Sequence, residues 1–216
     1  MRKIFGGDIF FYLSLTKRSV KNIVMSPKTE EQFEQIRSDR KASILDAALH
    51  IFGEEGYHSA SISKISKRAG VSKGLMYNYF DSKEDLLKEL LDTVFDTIMD
   101  AMGIVAGEEI TDELLVSHIN RSFEIVENDH AHWKLYFSVV TQPNIMEMAL
   151  EQMIPKIEPY MMSLVEYFAK KGHKNPMVTA RYYTSTLDGV QMQAIFDPNN
   201  YPIEEVKQLI IKQFIS

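Results

Sequence analysis

The chain has 216 residues, of which 45% are hydrophobic, and its 24 Lys and Arg against 30 Asp and Glu give a net charge of −6. This length suits one smaller and one larger domain with a sizeable core. The absence of cysteine excludes disulfides, thiol redox sensing and thiolate metal sites, and makes the cytoplasm the expected compartment.

Residues 1–28 are expected to be an N-terminal extension of doubtful structure. Residues 4–15 are apolar but are interrupted by Gly6, Gly7 and Asp8. They are also fewer than the roughly 20 apolar residues that span a bilayer, so no membrane anchor is expected. A possible start at Met25 suggests that residues 1–24 derive from an upstream start codon.

Three helices are predicted between residues 29 and 80. The first runs over residues 29–55, with an inward apolar face that includes Ile44, Ala48 and Phe52. Two short helices follow, the second extending to residue 80. Each begins after a serine that can cap a helix N-terminus, Ser61 or Ser72. A turn at residue 70 joins them, so the pattern predicts a helix-turn-helix.

The same stretch is locally basic. Residues 58–80 contain no carboxylate and four cations: Lys64, Lys67, Arg68 and Lys73. Neutralisation of DNA phosphates would explain such a cluster in an acidic chain. A solvated helix face is the alternative.

The residue order GVSKG at 70–74, YNYF at 77–80 and SKEDL at 82–86 resembles the signature of the TetR family of transcriptional regulators. The resemblance covers about residues 40–87. It implies a DNA-binding head over residues 29–82, a helical ligand-binding and dimerisation body over residues 83–216, and no enzymatic activity. The DNA-binding residues expected are Ser61, Lys64, Ser72, Lys73, Gly74, Leu75, Tyr77, Tyr79 and Lys83.

Within that set, the resemblance places Lys73 and Gly74 against base edges, and Tyr77, Tyr79 and Lys83 against phosphates. Position 75 departs from the family pattern, in which a small hydroxyl residue, usually Thr, is common. An apolar Leu75 could contact a thymine methyl group or pack inward, so the operator sequence stays open.

The body is predicted to be all-helical, which makes the whole chain all-α with about nine helices. The predicted body helices cover residues 82–104, 111–128, 131–141 and 144–171, followed by two that begin near Pro176 and Pro202. Pro155 and Pro159 each remove a backbone N–H and predict a break or kink near Ile154.

By the resemblance, the body interior would hold a small apolar or amphipathic inducer. The expected lining residues are Trp133, Tyr136, Phe137, Met148, Met161 and Tyr182, with His118 and Gln142 as polar partners. Aromatic residues and methionines at these positions are equally compatible with ordinary core packing. A body that binds a protein partner instead is the first alternative.

The last two helices are expected to form a homodimer. The expected interface residues are Ala180, Thr184, Leu187, Gln191, Val206 and Ile210. Small residues allow close helix approach, and two apolar C-terminal helices need cover. A symmetric dimer suits a palindromic operator with half-sites about 34 Å apart.

The sequence therefore predicts a homodimeric repressor that a ligand releases from double-stranded DNA. No cofactor or metal is expected, because Asp129 beside His130 and His132 is read as a helix cap rather than as a metal site. No catalytic constellation is visible. An all-helical enzyme or lipid carrier remains the last alternative, and it predicts no salt-dependent DNA affinity.

Overall fold

The computed structural model describes residues 29–103, 105 and 107–215. These residues form nine α-helices and no strand, as the all-α prediction requires. The helices are α1 (Glu30–Glu55), α2 (Ile62–Arg68), α3 (Lys73–Met76), α4 (Lys83–Met102), α5 (Asp112–Asn128), α6 (His130–Val140), α7 (Ile145–Lys170), α8 (Pro176–Phe196) and α9 (Ile203–Ile215). The predictions for residues 1–28 and for a helix end at residue 104 lie outside the described residues.

The chain divides into two compact units between Leu90 and Leu91, inside α4. We call the described residues up to Leu90 the head and those from Leu91 the body. The first two turns of α4 thus belong to the head, whereas the predicted domain boundary lies at the start of that helix. Leu86, Leu87 and Leu90 in these turns are buried, and packing within the head removes their apolar side chains from water.

The head is organised on α1. Its N-terminus has a capping box, in which Thr29 Oγ1 accepts from the Gln32 amide at 3.3 Å and Gln32 Oε1 accepts from the Thr29 amide at 3.2 Å. The predicted inward face of α1 is confirmed, since Ile44, Ala48 and Phe52 are fully buried.

The helix-turn-helix is confirmed over α2 and α3, and its turn depends on Gly70. This residue has φ +67°, and its N–H donates to the Lys67 carbonyl at 3.3 Å. The Val71 N–H donates to the Ser66 carbonyl at 3.0 Å. The pair of bonds is a Schellman motif, which satisfies the last carbonyls of α2 and needs a residue that tolerates positive φ.

The second helix of this motif is shorter than predicted. It ends at Met76 rather than at residue 80. The amides of Asn78 and Tyr79 then donate to the carbonyls three residues earlier, at 3.1 and 3.0 Å. The chain is therefore tightened into turns after α3, as is common where a helix ends.

The body core is built mainly from α5, α7, α8 and α9. Its buried residues are Ile110, Leu115, Ile119, Phe123, Tyr160, Leu164, Tyr167, Phe168, Ala180, Tyr183, Leu187, Ile210, Phe214 and Ile215. Helix α6 is tied to α5 by the Trp133 indole, whose Nε1 donates to the Ile125 carbonyl at 2.9 Å. The predicted helix starts at Thr111 and Pro176 are confirmed.

Of the predicted break or kink near Ile154, the break is wrong, because α7 runs without interruption from Ile145 to Lys170 with both prolines inside it. The kink stays a prediction. An internal proline costs a helix about 3 kcal/mol or more. Packing on both sides of the prolines offsets this cost: Ile145 and Ala149 are buried before them, and buried Leu164 follows them.

Between the two halves of α7, the Lys156 ammonium lies 2.5 Å from carboxylate oxygens of both Asp92 and Asp96 on α4. This double ion pair joins the proline-containing segment to a neighbouring helix. None of the helices in the described ranges combines the length and the apolar character needed to cross a membrane.

Candidate nucleic-acid interface and ligand site

The recognition segment consists of α3 and the turns that follow it. Ser72 caps α3, since its Oγ accepts from the Leu75 amide at 3.1 Å. Buried Met76 fixes α3 against the head core, with 1% of its surface exposed. The segment is therefore held from inside and presents its remaining side chains outward.

Four of the predicted DNA-binding residues are exposed on this segment: Ser72, Lys73, Gly74 and Tyr77. Leu75 and Tyr79 are partly buried, and the Tyr79 ring lies 6.3 Å from that of buried Phe80. Part of the Leu75 side chain stays exposed on the head, so its contact with a thymine methyl group stays a prediction.

Gly74 has no structural requirement for glycine within the head. Its φ is not positive, and the atom nearest to an added Cβ would be Ser72 Oγ at 4.0 Å. Glycine lowers helix stability relative to alanine. The close approach of another molecule is a reason to keep such a residue on an exposed helix.

The basic cluster is partly neutralised by carboxylates at the end of α1. Lys64 forms an ion pair with Glu55, and the Arg68 guanidinium lies 3.5 Å from Glu54. Both acids precede the window of residues 58–80, so a charge count within that window missed them. Lys67 and Lys73 have no ion-pair partner in the part of the chain that the structure describes.

Lys67 is exposed and was absent from the predicted site residues. Its only sequence signal was its charge, which Lys64 shares. The structure distinguishes the two lysines by their partners, since Lys64 pairs with Glu55.

Ser61, another predicted DNA-binding residue, acts as a helix cap, with its Oγ accepting from the Lys64 amide at 3.3 Å.

Lys83 was expected to bind a phosphate, but its ammonium is used within the head. Its ammonium donates to the carbonyls of Tyr57 and Ala60 at 2.7 and 3.0 Å, and lies 3.4 Å from that of His58. It also lies 4.4 Å from the centre of the Tyr57 ring. Because an ammonium has three N–H donors, Lys83 is used to hold the loop between α1 and α2.

The predicted ligand-lining residues fall into separate groups in the body. Trp133 and Tyr136 are buried, and α6 presents them with Phe137 as a continuous aromatic row, with ring centres 5.8 and 6.2 Å apart. Burial raises the pKa of Tyr136 to about 12. Met148 is partly buried on α7, whereas Met161 packs against the main core.

Tyr182 does not line the interior. It is 53% exposed, its hydroxyl accepts from Gln213 Nε2 at 2.9 Å, and its ring lies against Phe214. The inward residue is instead its neighbour Tyr183, which is fully buried.

Three predicted dimer residues are likewise buried in the protomer's own core and are not available to a partner: Ala180, Leu187 and Ile210. Thr184, Gln191 and Val206 are partly exposed and stay predictions. For Ala180 and Leu187 the cause is that both apolar stripes of α8 have helical spacing, and only packing decides which one faces inward.

The exposed stripe of α8 is spaced alternately by four and three residues. We call it the α8 outer face, and it consists of Val178, Tyr182, Ser185, Gly189, Met192 and Phe196. An added Cβ at Gly189 would meet no atom within 4 Å. Leu209 on α9 is also 64% exposed. These residues form an apolar surface with small residues at its centre.

The expected polar partners of a ligand differ in their surroundings. Gln142 Nε2 donates to the Ser138 carbonyl at 2.9 Å, so it is used within α6 and the turn after it. His118 is buried, and its ring lies 5.6 Å from that of Tyr160. Neither imidazole nitrogen has a hydrogen-bond partner among the described residues.

The Asp129 carboxylate caps α6 by accepting from the His132 amide at 3.0 Å. The described residues contain no group of three or more His, Asp or Glu side chains placed to bind a metal ion.

Comparison with known proteins follows the same division into head and body. Residues 44–90 match the family model described as bacterial regulatory proteins, tetR family. The HTH-type transcriptional regulator YhgD of Bacillus subtilis, whose function is uncharacterised, is 30% identical over 139 residues, covering 63% of this chain and 71% of that protein. The fatty acid metabolism regulator protein of Bacillus subtilis is 35% identical over 109 residues, covering 50% of this chain and 54% of that protein.

Among solved structures, the transcriptional regulator FadR of Bacillus subtilis in complex with stearoyl-CoA shares the fold. It has a TM-score of 0.66 and 24% identity, and the match covers 81% of this chain and 97% of that one. The helix-turn-helix head and these matches place the chain in the class of helix-turn-helix transcriptional regulators. The chain belongs to the TetR family of bacterial transcriptional regulators.

The matched proteins are regulators of transcription and not enzymes, in agreement with the sequence analysis. The chain spans about half the length, or less, of several curated relatives that it matches.

Proposed function

We propose that this protein is a homodimeric cytoplasmic repressor that binds a palindromic DNA operator and is released from it by a fatty-acyl ligand. The DNA-binding part of this proposal rests on the structure of the recognition segment. It is anchored by buried Met76, and it exposes Lys73, Gly74 and Tyr77 together.

Each exposed group on this segment suits DNA chemically. A lysine without an ion-pair partner can neutralise a phosphate or donate to guanine in the major groove. A tyrosine hydroxyl can donate to a phosphate oxygen without selecting a base. The absence of a side chain at Gly74 leaves space for a base edge or sugar.

The homodimer is supported by the α8 outer face. Its exposed apolar residues recur over about five turns, from Val178 to Phe196, and Gly189 allows a second helix to approach closely. A two-fold pair of such faces buries the same surface of both protomers and repeats the recognition segment twice. This geometry matches a palindromic site.

The ligand class is supported by a curated relative that is a fatty acid metabolism regulator. The body offers the aromatic row of α6 and adaptable methionines, which suit an acyl chain. Helix α4 contributes residues to both compact units. We propose that a ligand preferring one arrangement of the body biases the head through this helix.

A second candidate function, a body that binds a protein partner, is favoured by one feature of α7. Met146, Leu150 and Ile154 are each more than 40% exposed and follow one another at intervals of four residues. They form an apolar stripe that a partner helix could cover.

The test is binding of the purified protein to the DNA that flanks its own gene, measured over a salt series with unrelated DNA as competitor. We expect saturable binding to one palindromic segment and dissociation on addition of stearoyl-CoA, with coenzyme A alone as the control. Equal, weak and salt-abolished binding to all sequences would overturn the regulator proposal. Operator binding that no acyl compound affects would favour the protein-partner function.

A further inference from the structure

Three polar side chains meet inside the body without hydrogen-bond partners. They come from different helices: His118 from α5, Tyr160 from α7 and Tyr183 from α8. Each is at least nine-tenths buried. The His118 ring packs edge-on against Tyr160 at 5.6 Å, and the two tyrosine hydroxyls approach each other. We call these three residues the buried polar cluster.

None of the polar atoms in the cluster reaches hydrogen-bond geometry with another atom of the described chain. This applies to both imidazole nitrogens and both hydroxyls. The Gly103 backbone lies near the imidazole but does not satisfy it. Burying such groups without partners lowers the stability of the fold, and natural cores contain few of them.

Tyr160 and Tyr183 belong to the apolar body core, and flexible side chains pack against that core. Partly buried Met99, Met161 and Val165 pack against the same core. Methionine side chains can move aside at little cost and adapt to an acyl chain. A ligand that entered here would meet apolar walls and a few hydrogen-bonding groups, as in typical small-molecule sites.

The charge state of the cluster restricts the chemistry of its partner. Burial lowers the pKa of His118 and raises the pKa of both Tyr160 and Tyr183, so all three are neutral near pH 7. Neutral phenols and an imidazole can donate to a carbonyl oxygen. A carboxylate would bring an unpaired negative charge into a dry interior, which is unfavourable.

We propose that the buried polar cluster binds the carbonyl oxygen of an uncharged acyl group, an ester or thioester that carries an apolar chain. The Tyr160 and Tyr183 hydroxyls and the imidazole N–H of His118 donate to this oxygen. The apolar chain of the ligand displaces methionine side chains that pack against the same core. This inference rests on the proposed function, since it specifies which part of a fatty-acyl ligand the body recognises.

The experiment compares two probes that differ at one oxygen. Stearoyl-CoA carries the thioester carbonyl, and its thioether analogue S-octadecyl-CoA lacks it. Calorimetric affinities of both are measured for the full chain, for Tyr160→Phe and Tyr183→Phe, and for Tyr167→Phe. Tyr167 is the matched control, because its hydroxyl already donates to Asp112 Oδ1 at 2.8 Å.

We expect Tyr160→Phe and Tyr183→Phe to weaken stearoyl-CoA binding about fivefold each, as for loss of one hydrogen bond, and to change S-octadecyl-CoA binding less than about twofold. Without ligand, both variants should melt at the wild-type temperature or above it, since each removes an unsatisfied hydroxyl. Tyr167→Phe should lower the melting temperature and leave the ratio of the two affinities unchanged.

If both probes bind and the tyrosine variants weaken them equally or not at all, the carbonyl assignment is overturned while the fatty-acyl ligand stands. If neither probe binds the wild type, both the ligand class and this inference fail. Operator binding, measured separately, shows whether the DNA-binding part of the proposed function survives in that case.

Discussion

Helix N-termini are capped in both the head and the body of this protein, but the body also buries polar groups that lack partners among the described residues. In the head, Ser61 and Ser72 cap the two helices of the helix-turn-helix, and Lys83 satisfies carbonyls of the loop between α1 and α2. In the body, the imidazole of His118 and the hydroxyls of Tyr160 and Tyr183 are buried without partners among the described residues.

This difference indicates which unit is complete by itself. A head whose helix ends and loop are satisfied internally can present a rigid surface to DNA, so that little ordering remains to be done on binding. A body with unsatisfied buried groups gains hydrogen bonds when a ligand supplies them. If the proposed function holds, a ligand therefore has more to change in the body than DNA has in the head.

The largest expected effect concerns the outside of the body. Gly189→Arg places a cation at the centre of the α8 outer face. If that face forms the dimer, burial of an unpaired charge should raise the dimer dissociation constant about 100-fold or more, equivalent to about 3 kcal/mol. Sedimentation velocity measures the change.

Ala169→Arg is the control for this variant, since it adds the same charge to an exposed alanine of α7. It should leave the dimer intact. A Gly189→Arg protein that stays dimeric at low concentration would show that the subunits meet elsewhere.

The next effect tests whether Lys83 serves the head fold. Lys83→Met removes the ammonium that donates to the Tyr57 and Ala60 carbonyls, and it should lower the free energy of unfolding by about 2 kcal/mol. Lys88→Met, at an exposed ion pair with Glu84, should cost less than about 0.5 kcal/mol. Urea denaturation compares them. If Lys83→Met left the stability unchanged but weakened operator binding, the prediction that Lys83 contacts a phosphate would hold instead.

A smaller effect separates paired from unpaired lysines on the head surface. Lys73→Ala should weaken operator binding roughly tenfold, in the range expected for a specific base contact. Lys64→Ala should weaken it less than about threefold, because Glu55 already neutralises that ammonium. Fluorescence anisotropy with labelled operator measures both. Equal losses for the two variants would mean that only total charge matters.

The smallest effects distinguish two glycines four residues apart. Gly70→Ala forces a side chain into the left-handed region and should destabilise the head by about 1 kcal/mol. Gly74→Ala should keep or slightly raise stability, by up to about 0.5 kcal/mol, while it weakens operator binding. Thermal melts and anisotropy titrations provide the two readouts. A Gly74→Ala protein with full operator affinity would show that DNA does not approach this position.

Much of the fold was predictable because its signals are local. The caps at Ser61, Ser72 and Thr111 lie at the helix starts that they predict. Gly70 lies in the turn that it predicts, with positive φ. Interactions between residues a few positions apart need no knowledge of the remaining chain, so the number of helices and most of their ends were predicted correctly.

The candidate sites were predictable only in part, because a side chain's partners can be distant in sequence. Lys83 was assigned to DNA, yet its acceptors lie more than twenty residues earlier in the chain. Lys64 and Arg68 were counted as free charge, although two glutamates of α1 pair with them. No pattern within the motif contains this information.

The sequence by itself determined the helix-turn-helix and the all-α architecture, since capping, turn chemistry and helical periodicity act over a few residues. The resemblance of its motif to a known signature indicated the family. Only the tertiary structure decided which stripe of α8 faces the core, that α7 continues through its prolines, and that the buried polar cluster forms. These features depend on competition for burial between helices that are far apart in sequence.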